Sequence, residues 1–396
     1  MQRPPRRDAP AGSPGEVFRA FLKLGLTSFG GPIAHLGYYR DELVVRRRWI
    51  DEGGYADLVA LCQFLPGPAS SQTGFALGLL RGGPLGALAA WAAFTLPSAL
   101  ILVLFAYGAA AFAGPIGQGA LHGLKVVAVA VIAQAVLGMA RSLCPDRGRA
   151  GIAVLAVLAV TFAAGPLGQV GAIVLGGLLG LWLCRGAPVA GAAPARFPVS
   201  RRAGTAALAS FFALLLLLPF VAGWGRGAAL FDAFYRSGAL VFGGGHVVLP
   251  LLESAVVRPG WVGEGAFLAG YGATQAVPGP IFAFAAYLGA VAWPGLLGAL
   301  IGLAAIFLPG FLVLVGVLPF WDALRARPIA QAALRGTNAA VVGILAAALY
   351  DPVWTSAVLG PPDFALALAA FVLLVAWKAP PWLVVALTAA GGVLLG

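Results

Sequence analysis

The sequence predicts an all-α, polytopic integral membrane protein made of two inverted-topology repeats with broken or re-entrant helices. Of its 396 residues, 61% are hydrophobic and 10% are charged, whereas soluble domains carry about 25% charged residues. Many apolar stretches are long enough to cross the roughly 30 Å hydrocarbon core of a bilayer, and several motifs recur 212 residues apart. A water-soluble globular protein is therefore excluded.

The N-terminal tail and the first repeat come first along the chain. Residues 1–15 are rich in Pro and Arg and lack the apolar segment of a signal peptide, so a disordered cytoplasmic tail is expected. The first membrane repeat is predicted over residues 16–185. It is interrupted at Gly30-Gly31-Pro32 and at Pro66-Gly67-Pro68, which leaves pieces of about 12 to 16 residues where a spanning helix needs about 20. These pieces are predicted to be broken helices or re-entrant hairpins. Longer spans are expected at about 84–113, 117–141, 150–165 and 166–184.

A linker with one extra transmembrane span, predicted over 186–228, turns the second repeat, 229–396, upside down relative to the first. The arginines agree with this inversion, because basic residues concentrate in cytoplasmic loops. Loops of the first repeat carry Arg46-Arg47-Arg48 and the group Arg141, Arg147 and Arg149, whereas the equivalent loops of the second repeat are nearly free of basic residues. The N-terminus is therefore predicted to be cytoplasmic.

The duplication is visible in the sequence itself, because rare residues match in order. A shift of 212 or 213 residues aligns five features of the halves: Asp41 with Glu253, Trp49 with Trp261, Gln63 with Gln275, Pro66-Gly67-Pro68 with Pro278-Gly279-Pro280, and Phe29-Gly30-Gly31 with Phe242-Gly243-Gly244. Ordered matches of Trp, Gln, Pro and acidic residues are not expected by chance in a chain rich in Ala and Leu. We infer two repeats, as in many secondary transporters.

The breaks are the predicted substrate site, because non-helical backbone in a membrane protein is buried or lines a cavity. A helix that restarts after a break presents unpaired N–H groups and the positive end of its dipole, which favour anions. Polar side chains follow the first Pro-Gly-Pro element, whereas apolar residues follow the second. The predicted substrate-binding residues are Gly30, Gly31, Gln63, Pro66, Gly67, Pro68, Ser70, Ser71, Gln72, Thr73, Lys125, Gly243, Gly244, Gln275, Pro278, Gly279 and Pro280. Two alternatives stay open: the breaks only kink helices for packing, or the polar run only caps its own helix.

Three of these predictions have competing interpretations. Lys125 lies within a predicted span, where a charge faces a partner or a water-filled cavity unless it snorkels to the nearer surface. Gln63 and Gln275 bind substrate or form ordinary interhelical hydrogen bonds. Asp41 and Glu253 are proton-coupling candidates, although neighbouring arginines favour salt bridges at the membrane interface.

Several function classes are not expected. No catalytic motif or clustered carboxylate pair lies in the apolar spans, which argues against an enzyme. The three cysteines are far apart with no CxxC pair, which indicates neither a metal site nor a disulfide framework. No cofactor is expected. The net charge of +11 is concentrated in loops and the tail, a distribution that suits anionic lipid rather than nucleic acid.

Three strings give the chain a resemblance to a known family. Residues 21–32 read FLKLGLTSFGGP, residues 63–68 read QFLPGP, and residues 275–280 read QAVPGP. With the Trp49 and Asp51 stretch and FGGGH at 242–246, they resemble the long, two-domain form of the chromate ion transporter family. The likeness covers about residues 16–350. It implies a multi-pass protein of the bacterial inner membrane that exports chromate and so confers resistance.

Sequence and resemblance together predict a secondary transporter that moves chromate or a similar tetrahedral oxyanion out across the bacterial inner membrane. A site near the midplane would be exposed to each side in turn as one repeat rocks against the other. An anion channel of the same fold and a non-transporting membrane scaffold stay open as alternatives. The expected partners are a small inorganic oxyanion, a coupled proton or other ion, the lipid bilayer and further copies of the chain in a homo-oligomer.

Overall fold

The computed structural model of the protein describes residues 12–29, 31–108, 114–163, 166–185, 197–242, 245–325 and 327–395. Over these residues the chain is helical and contains no β-strand, which confirms the all-α prediction. The first half contains α1 (Pro14–Thr27), α2 (Gly31–Tyr39), α3 (Glu52–Phe64), α4 (Ala69–Gly108), α5 (Pro115–Leu143), α6 (Arg147–Phe162) and α7 (Pro166–Leu183). Helix α8 (Arg201–Val221) connects the halves. The second half contains α9 (Arg226–Ala239), α10 (Val248–Leu252), α11 (Glu264–Thr274), α12 (Phe284–Ala292), α13 (Leu296–Val317), α14 (Trp321–Arg325), α15 (Pro328–Ala348), α16 (Thr355–Ala357), α17 (Pro361–Val375) and α18 (Pro381–Leu395).

Five helices are long and apolar enough to cross a membrane, namely α4, α5, α8, α13 and α15, the last with the turns that follow it. Large apolar side chains such as Leu100, Leu216 and Phe220 point outward and are mostly exposed. A contiguous apolar exterior of this kind is stable in lipid and not in water. The prediction of a polytopic membrane protein is confirmed.

The predicted breaks in the early helices are present. Helix α3 ends at Phe64 and α4 begins at Ala69, and between them Gly67 has a φ of +116°. In the second half α11 ends at Thr274, and Gly279 has a φ of +110°. Glycine populates this region without the steric cost that a Cβ brings, so the glycine of each Pro-Gly-Pro element permits the sharp change of direction.

Helix α4 is itself a hairpin, because Gly82 and Gly83 leave helical geometry. It has a first arm, 69–81, and a second arm, 84–108, which run antiparallel. They touch at Gly78, where an added Cβ would lie 2.5 Å from the carbonyl oxygen of Gly86. Helices α12 and α13 approach each other equally closely, because a Cβ on Gly289 would lie 2.2 Å from the carbonyl oxygen of Gly298. The first arm of α4 and helix α12 are each too short to cross the bilayer alone.

Each half has one long helix that packs against helices of the other half. Helix α5 of the first half packs against α11, α17 and α18 of the second, and α15 of the second packs against α6 and α7 of the first. Both contacts need glycine: a Cβ on Gly123 would lie 2.2 Å from the Thr388 carbonyl oxygen, and one on Gly336 would lie 2.1 Å from that of Gly176. The repeat shift relates Gly123 to Gly336. Reciprocal contacts between equivalent residues are the signature of a two-fold relation.

Candidate functional site

The two Pro-Gly-Pro breaks are held by the opposite half of the molecule. The N–H of Gly67 donates to the carbonyl oxygen of Val241 at 2.7 Å, and the N–H of Gly279 donates to that of Ser28 at 3.0 Å. The repeat shift of 212 or 213 residues relates the two glycines and also relates Ser28 to Val241. Each break therefore lies at the end of the first helix of the other repeat, and the contact is made twice.

The glycine-rich breaks meet at the same place. A Cβ on Gly245 would lie 3.1 Å from Pro32 Cγ and 3.7 Å from Ile281 Cδ1, and one on Gly31 would lie 3.8 Å from the same Ile281 atom. The two kinds of break thus converge between the repeats. The predicted site residues Gly30, Gly243 and Gly244 lie outside the described residues.

The polar run at the start of α4 does not point in one direction, because successive helical residues turn by about 100°. Ser70 Oγ lies 3.4 Å from His35 Nδ1. Gln72 Nε2 donates to the carbonyl oxygens of Pro66, at 2.9 Å, and Gly310, at 2.8 Å, so its amide links the break to α13 of the other half. Thr73 donates to Ala69 of its own helix. Ser71 is the member whose hydroxyl is buried with no hydrogen-bond partner in the described chain.

The predicted glutamine pair differs between the repeats. Gln63 is exposed, whereas Gln275 is half-buried and its Nε2 is buried with no partner among the described residues. The equivalent sequence positions therefore have different surroundings, and a shared role in binding stays a prediction.

The predicted charged residues Lys125, Asp41 and Glu253 differ in exposure and in their neighbours. Lys125 is half-buried, and its Nζ lies 2.9 Å from the position of a Cβ on Gly265, in the first turn of α11. The Asp41 side chain is 74% exposed and lies 3.8 Å from Arg40, while Glu253 is half-buried. Their roles as an anion-compensating charge and as proton carriers stay predictions.

Glu42 is the centre of an ionic cluster that sequence reasoning missed. Its carboxylate accepts hydrogen bonds from Lys23 Nζ at 2.8 Å, Arg46 Nη1 at 2.9 Å and Arg47 Nε at 2.9 Å. Burial alone would raise its pKa, but the hydrogen bonds and positive charges of Lys23 and Arg47 outweigh burial, so the pKa of Glu42 is lowered from its usual value. The cluster ties α1 to the turns after α2.

Arg81, at the tip of the α4 hairpin, is tied to α1 in a similar way. Its Nη2 lies 3.1 Å from both oxygens of Glu16, and its guanidinium lies over the ring of Trp49 at 5.6 Å. Trp49 Nε1 donates to the same carboxylate at 3.2 Å. Trp49, which the repeat shift relates to Trp261, therefore has a structural role in this cluster.

Two histidine pairs were also missed, because their partners are distant in sequence or aromatic. His122 Nε2 on α5 lies 2.7 Å from Asp363 Oδ1 on α17, a contact that joins the two halves. His246 Nδ1 lies 2.6 Å from the Tyr271 hydroxyl within the second repeat. In the described parts of the chain, no group of three or more His, Cys, Asp or Glu residues could hold a metal ion.

Comparison with known proteins identifies the family. The sequence profile described as "Chromate transporter" matches residues 15–181 and again residues 228–393. The chain is 30% identical to the chromate transport protein of Pseudomonas aeruginosa, over 95% of this chain and 90% of that protein. It is 29% identical to the probable chromate transport protein of Synechococcus elongatus, over 86% of this chain and 84% of that protein.

A third relative is the chromate transport protein of Cupriavidus metallidurans, which is 26% identical over 86% of this chain and 83% of that protein. No solved structure matches the chain. The doubled profile match agrees with the 212-residue repeat and with the reciprocal contacts between the halves. The chain belongs to the chromate transporter family.

Proposed function

We propose that this protein is a secondary transporter that exports chromate or a similar tetrahedral oxyanion across the bacterial inner membrane, with its N-terminus in the cytoplasm. The names of its relatives support an oxyanion as the substrate. The observation that carries the proposal is the reciprocal pair of contacts at the breaks, Gly67 to Val241 and Gly279 to Ser28. A transporter with alternating access needs such a junction, where broken helices of two repeats meet.

The substrate site in this proposal includes the breaks and the start of α4. The N-terminus of α4 offers a positive dipole end to an anion, and Ser71 adds a hydroxyl to it. Gly67 leaves room for the substrate because it has no side chain, and Pro66 and Pro68 each lack a backbone N–H. In the second repeat, apolar residues follow Pro278, Gly279 and Pro280. The second half therefore contributes fewer polar contacts to the substrate than the first.

Transport would follow from a small rotation of one repeat against the other. Because the repeats share a fold, exchanging their conformations converts a site open to one side into a site open to the other. The mirrored distribution of arginines supports an axis in the membrane plane. Asp41 and Glu253, which the repeat shift relates, are the proposed sites of a coupled proton.

Uptake into inside-out membrane vesicles tests the proposal. Vesicles containing the full chain should accumulate radiolabelled chromate, with sulfate and molybdate compared as competitors, and unlabelled substrate inside should accelerate entry of label by counterflow. Vesicles without the protein are the control. A conductance that rises linearly with voltage, without counterflow, would instead identify a channel. Absence of anion movement in either vesicle orientation would reject transport.

A further inference from the structure

A narrow cavity, partly open to the exterior, lies between α1, α2 and the two arms of α4, next to the first Pro-Gly-Pro break. It has about 170 Å³ of space outside the atoms, including its open side, in gaps too narrow for a water molecule. The rings of Phe21, Phe75 and Phe94 form its apolar walls. Four polar side chains also line it, those of Tyr39, Ser71, Trp91 and Thr95; we call these four the donor cluster.

The polar atom of each member of the donor cluster is buried without a hydrogen-bond partner in the described chain. Tyr39 is 0% exposed, Thr95 1% and Ser71 5%, and their hydroxyls and the Trp91 indole Nε1 are unpaired. Other hydroxyls of α4 behave differently, since Thr73 donates to the backbone carbonyl oxygen of Ala69 and Ser98 donates to that of Thr95. The helix therefore satisfies hydroxyls that lie outside the cavity and leaves unpaired those that line it.

The four groups converge from three segments. Trp91 and Thr95 are one turn apart on the second arm, and Ser71 and Gly74 are one turn apart on the first, so each pair shares a helix face. A Cβ on Gly74 would lie 3.3 Å from the Tyr39 hydroxyl oxygen and 3.0 Å from Phe21 Cε1. The absent side chain at Gly74 is what lets Tyr39 reach the face that carries Ser71.

Unpaired buried donors cost free energy, and water cannot relieve the cost where no water fits. Four of them around one cavity indicate a ligand that supplies acceptors from several directions. The described lining residues include no carboxylate, and Trp91 can only donate. A tetrahedral oxyanion has four acceptor oxygens on one small body. We propose that Tyr39, Ser71, Trp91 and Thr95 coordinate the oxyanion that the protein transports; this inference rests on the proposed function.

The second repeat does not duplicate this arrangement. The repeat shift relates Ser71 to Ala283, Trp91 to Leu303 and Thr95 to Phe307, and Tyr39 falls on Leu251 or Leu252. All of these counterparts are buried and apolar. The equivalent described positions of the second repeat therefore form no such cluster, and the proposed oxyanion is bound by the first repeat.

The second repeat instead packs against two of the rings that line the cavity. Phe311 of α13 stacks on Phe75 with ring centroids 4.2 Å apart, and it meets the Trp91 ring edge-on at 6.2 Å. Binding an ion larger than water requires these rings to separate. Movement of α13 against α4 would both widen the cavity and expose it, which couples binding to the rocking of the repeats.

The test replaces each donor by a side chain of similar shape in the full chain: Tyr39→Phe, Ser71→Ala, Trp91→Phe and Thr95→Val. Matched controls are Tyr235→Phe, Ser237→Ala and Thr388→Val, which are equally buried but remove hydroxyls that donate to backbone carbonyls. Equilibrium binding of radiolabelled chromate to purified protein and uptake into inside-out vesicles are both measured. Unfolding in mixed micelles is followed for every variant.

Each donor variant should bind chromate about tenfold more weakly or worse, because a hydrogen bond to a charged group is lost. In the three hydroxyl variants, resistance to unfolding should be unchanged or increased, because an unpaired buried hydroxyl is removed. Trp91→Phe also loses ring volume, so it is judged by chromate affinity alone. The controls should show the reverse, with normal chromate affinity and lower resistance to unfolding.

The outcomes separate this inference from the proposed function. If the wild-type protein transports chromate, and the donor variants bind and transport it as well as the controls do, the proposed role of the donor cluster is overturned and the proposed function is retained. Hydroxyl variants (Tyr39→Phe, Ser71→Ala, Thr95→Val) that unfold more readily would assign the donor cluster a structural role and also overturn it. A wild-type protein that binds neither chromate, sulfate nor molybdate would overturn both.

Discussion

Gly279 offers a quantitative test of the junction between the repeats. Its φ of +110° is unfavourable for any other residue, and an added Cβ would lie 2.7 Å from Ser98 Oγ and 3.2 Å from the Phe94 carbonyl oxygen. Backbone strain of this kind costs about 1–3 kcal/mol, and overpacking adds about 1–3 kcal/mol. We expect Gly279→Ala to destabilise the protein by about 2–6 kcal/mol.

The two contributions can be separated, because the overlap with Ser98 involves a side chain. Ser98→Gly removes the overlapping atoms, and Gly already occupies the equivalent position 310 in the other repeat. The double variant Gly279→Ala/Ser98→Gly should recover about 1–3 kcal/mol as a favourable coupling energy, while the backbone strain remains. The assay is a double-mutant cycle on the free energy of unfolding in mixed micelles.

Gly67 provides the matched control for this cycle. A Cβ there would lie 2.9 Å from Gly310 Cα, which is backbone and cannot be removed by substitution. Ser98→Gly should therefore leave the cost of Gly67→Ala unchanged. A coupling energy below about 0.5 kcal/mol for the Gly279 pair, or an equal one for both pairs, would refute the reciprocal geometry of the breaks.

Two further predictions concern packing and charge. Gly336→Leu should prevent α15 from packing on α7 and reduce the yield of folded protein, because its Cβ would overlap the Gly176 carbonyl oxygen at 2.1 Å; Gly171→Leu, on the same α7 helix with nothing within 4 Å, should fold normally. Equal yields would contradict the close approach. Glu42→Gln should lower the melting temperature at pH 7. The lowered pKa of Glu42 means that its stabilisation is present above the usual Glu pKa and is lost as the pH falls through the lowered value, so the melting curves should converge below about pH 4. A difference that persists in acid would argue against the ionic cluster.

The repeat and the breaks could be predicted from the sequence because they depend on residue types with few alternatives. Gly67 and Gly279 occupy backbone regions that other residues avoid, so the Pro-Gly-Pro elements mark the same structure in both halves. The apolar composition predicts a membrane protein, and the resemblance of the motifs predicts the family. None of these required knowledge of which helices touch.

The donor cluster could not be predicted in the same way. Tyr39, Trp91 and Thr95 look like ordinary buried residues of apolar helices, and their partnership with Ser71 depends on the α4 hairpin folding back beside α2. The sequence also predicted a shared binding role for Ser70 to Thr73. Because successive residues of a helix point in different directions, three of these four side chains contact other partners instead. The packing of α5 and α15 against the opposite halves leaves no local signal, since Gly123 and Gly336 resemble many other helical glycines.

Lys125 tests how the charge of a bound dianion is compensated. The donor cluster consists of neutral groups, and an uncompensated charge away from water costs several kcal/mol. Helix dipoles contribute only partial charges. Lys125 is held between the repeats, with its ammonium beside the first turn of α11, and a positive charge inside the membrane would offset part of the charge of a bound dianion.

We therefore expect Lys125→Gln to lower chromate transport by about tenfold or more while Lys125→Arg retains a large part of it. Arg335→Gln is the comparison, because Arg335 donates to the Cys184 carbonyl oxygen and to Gln331 and has a structural role. Transport by Lys125→Gln, Lys125→Arg and Arg335→Gln is measured in the same kind of inside-out vesicles, with the amount of folded protein matched. If Lys125→Gln transports normally, its ammonium only stabilises the contact between α5 and α11. The charge of the dianion must then be balanced by helix dipoles together with a proton or other cation that moves with it.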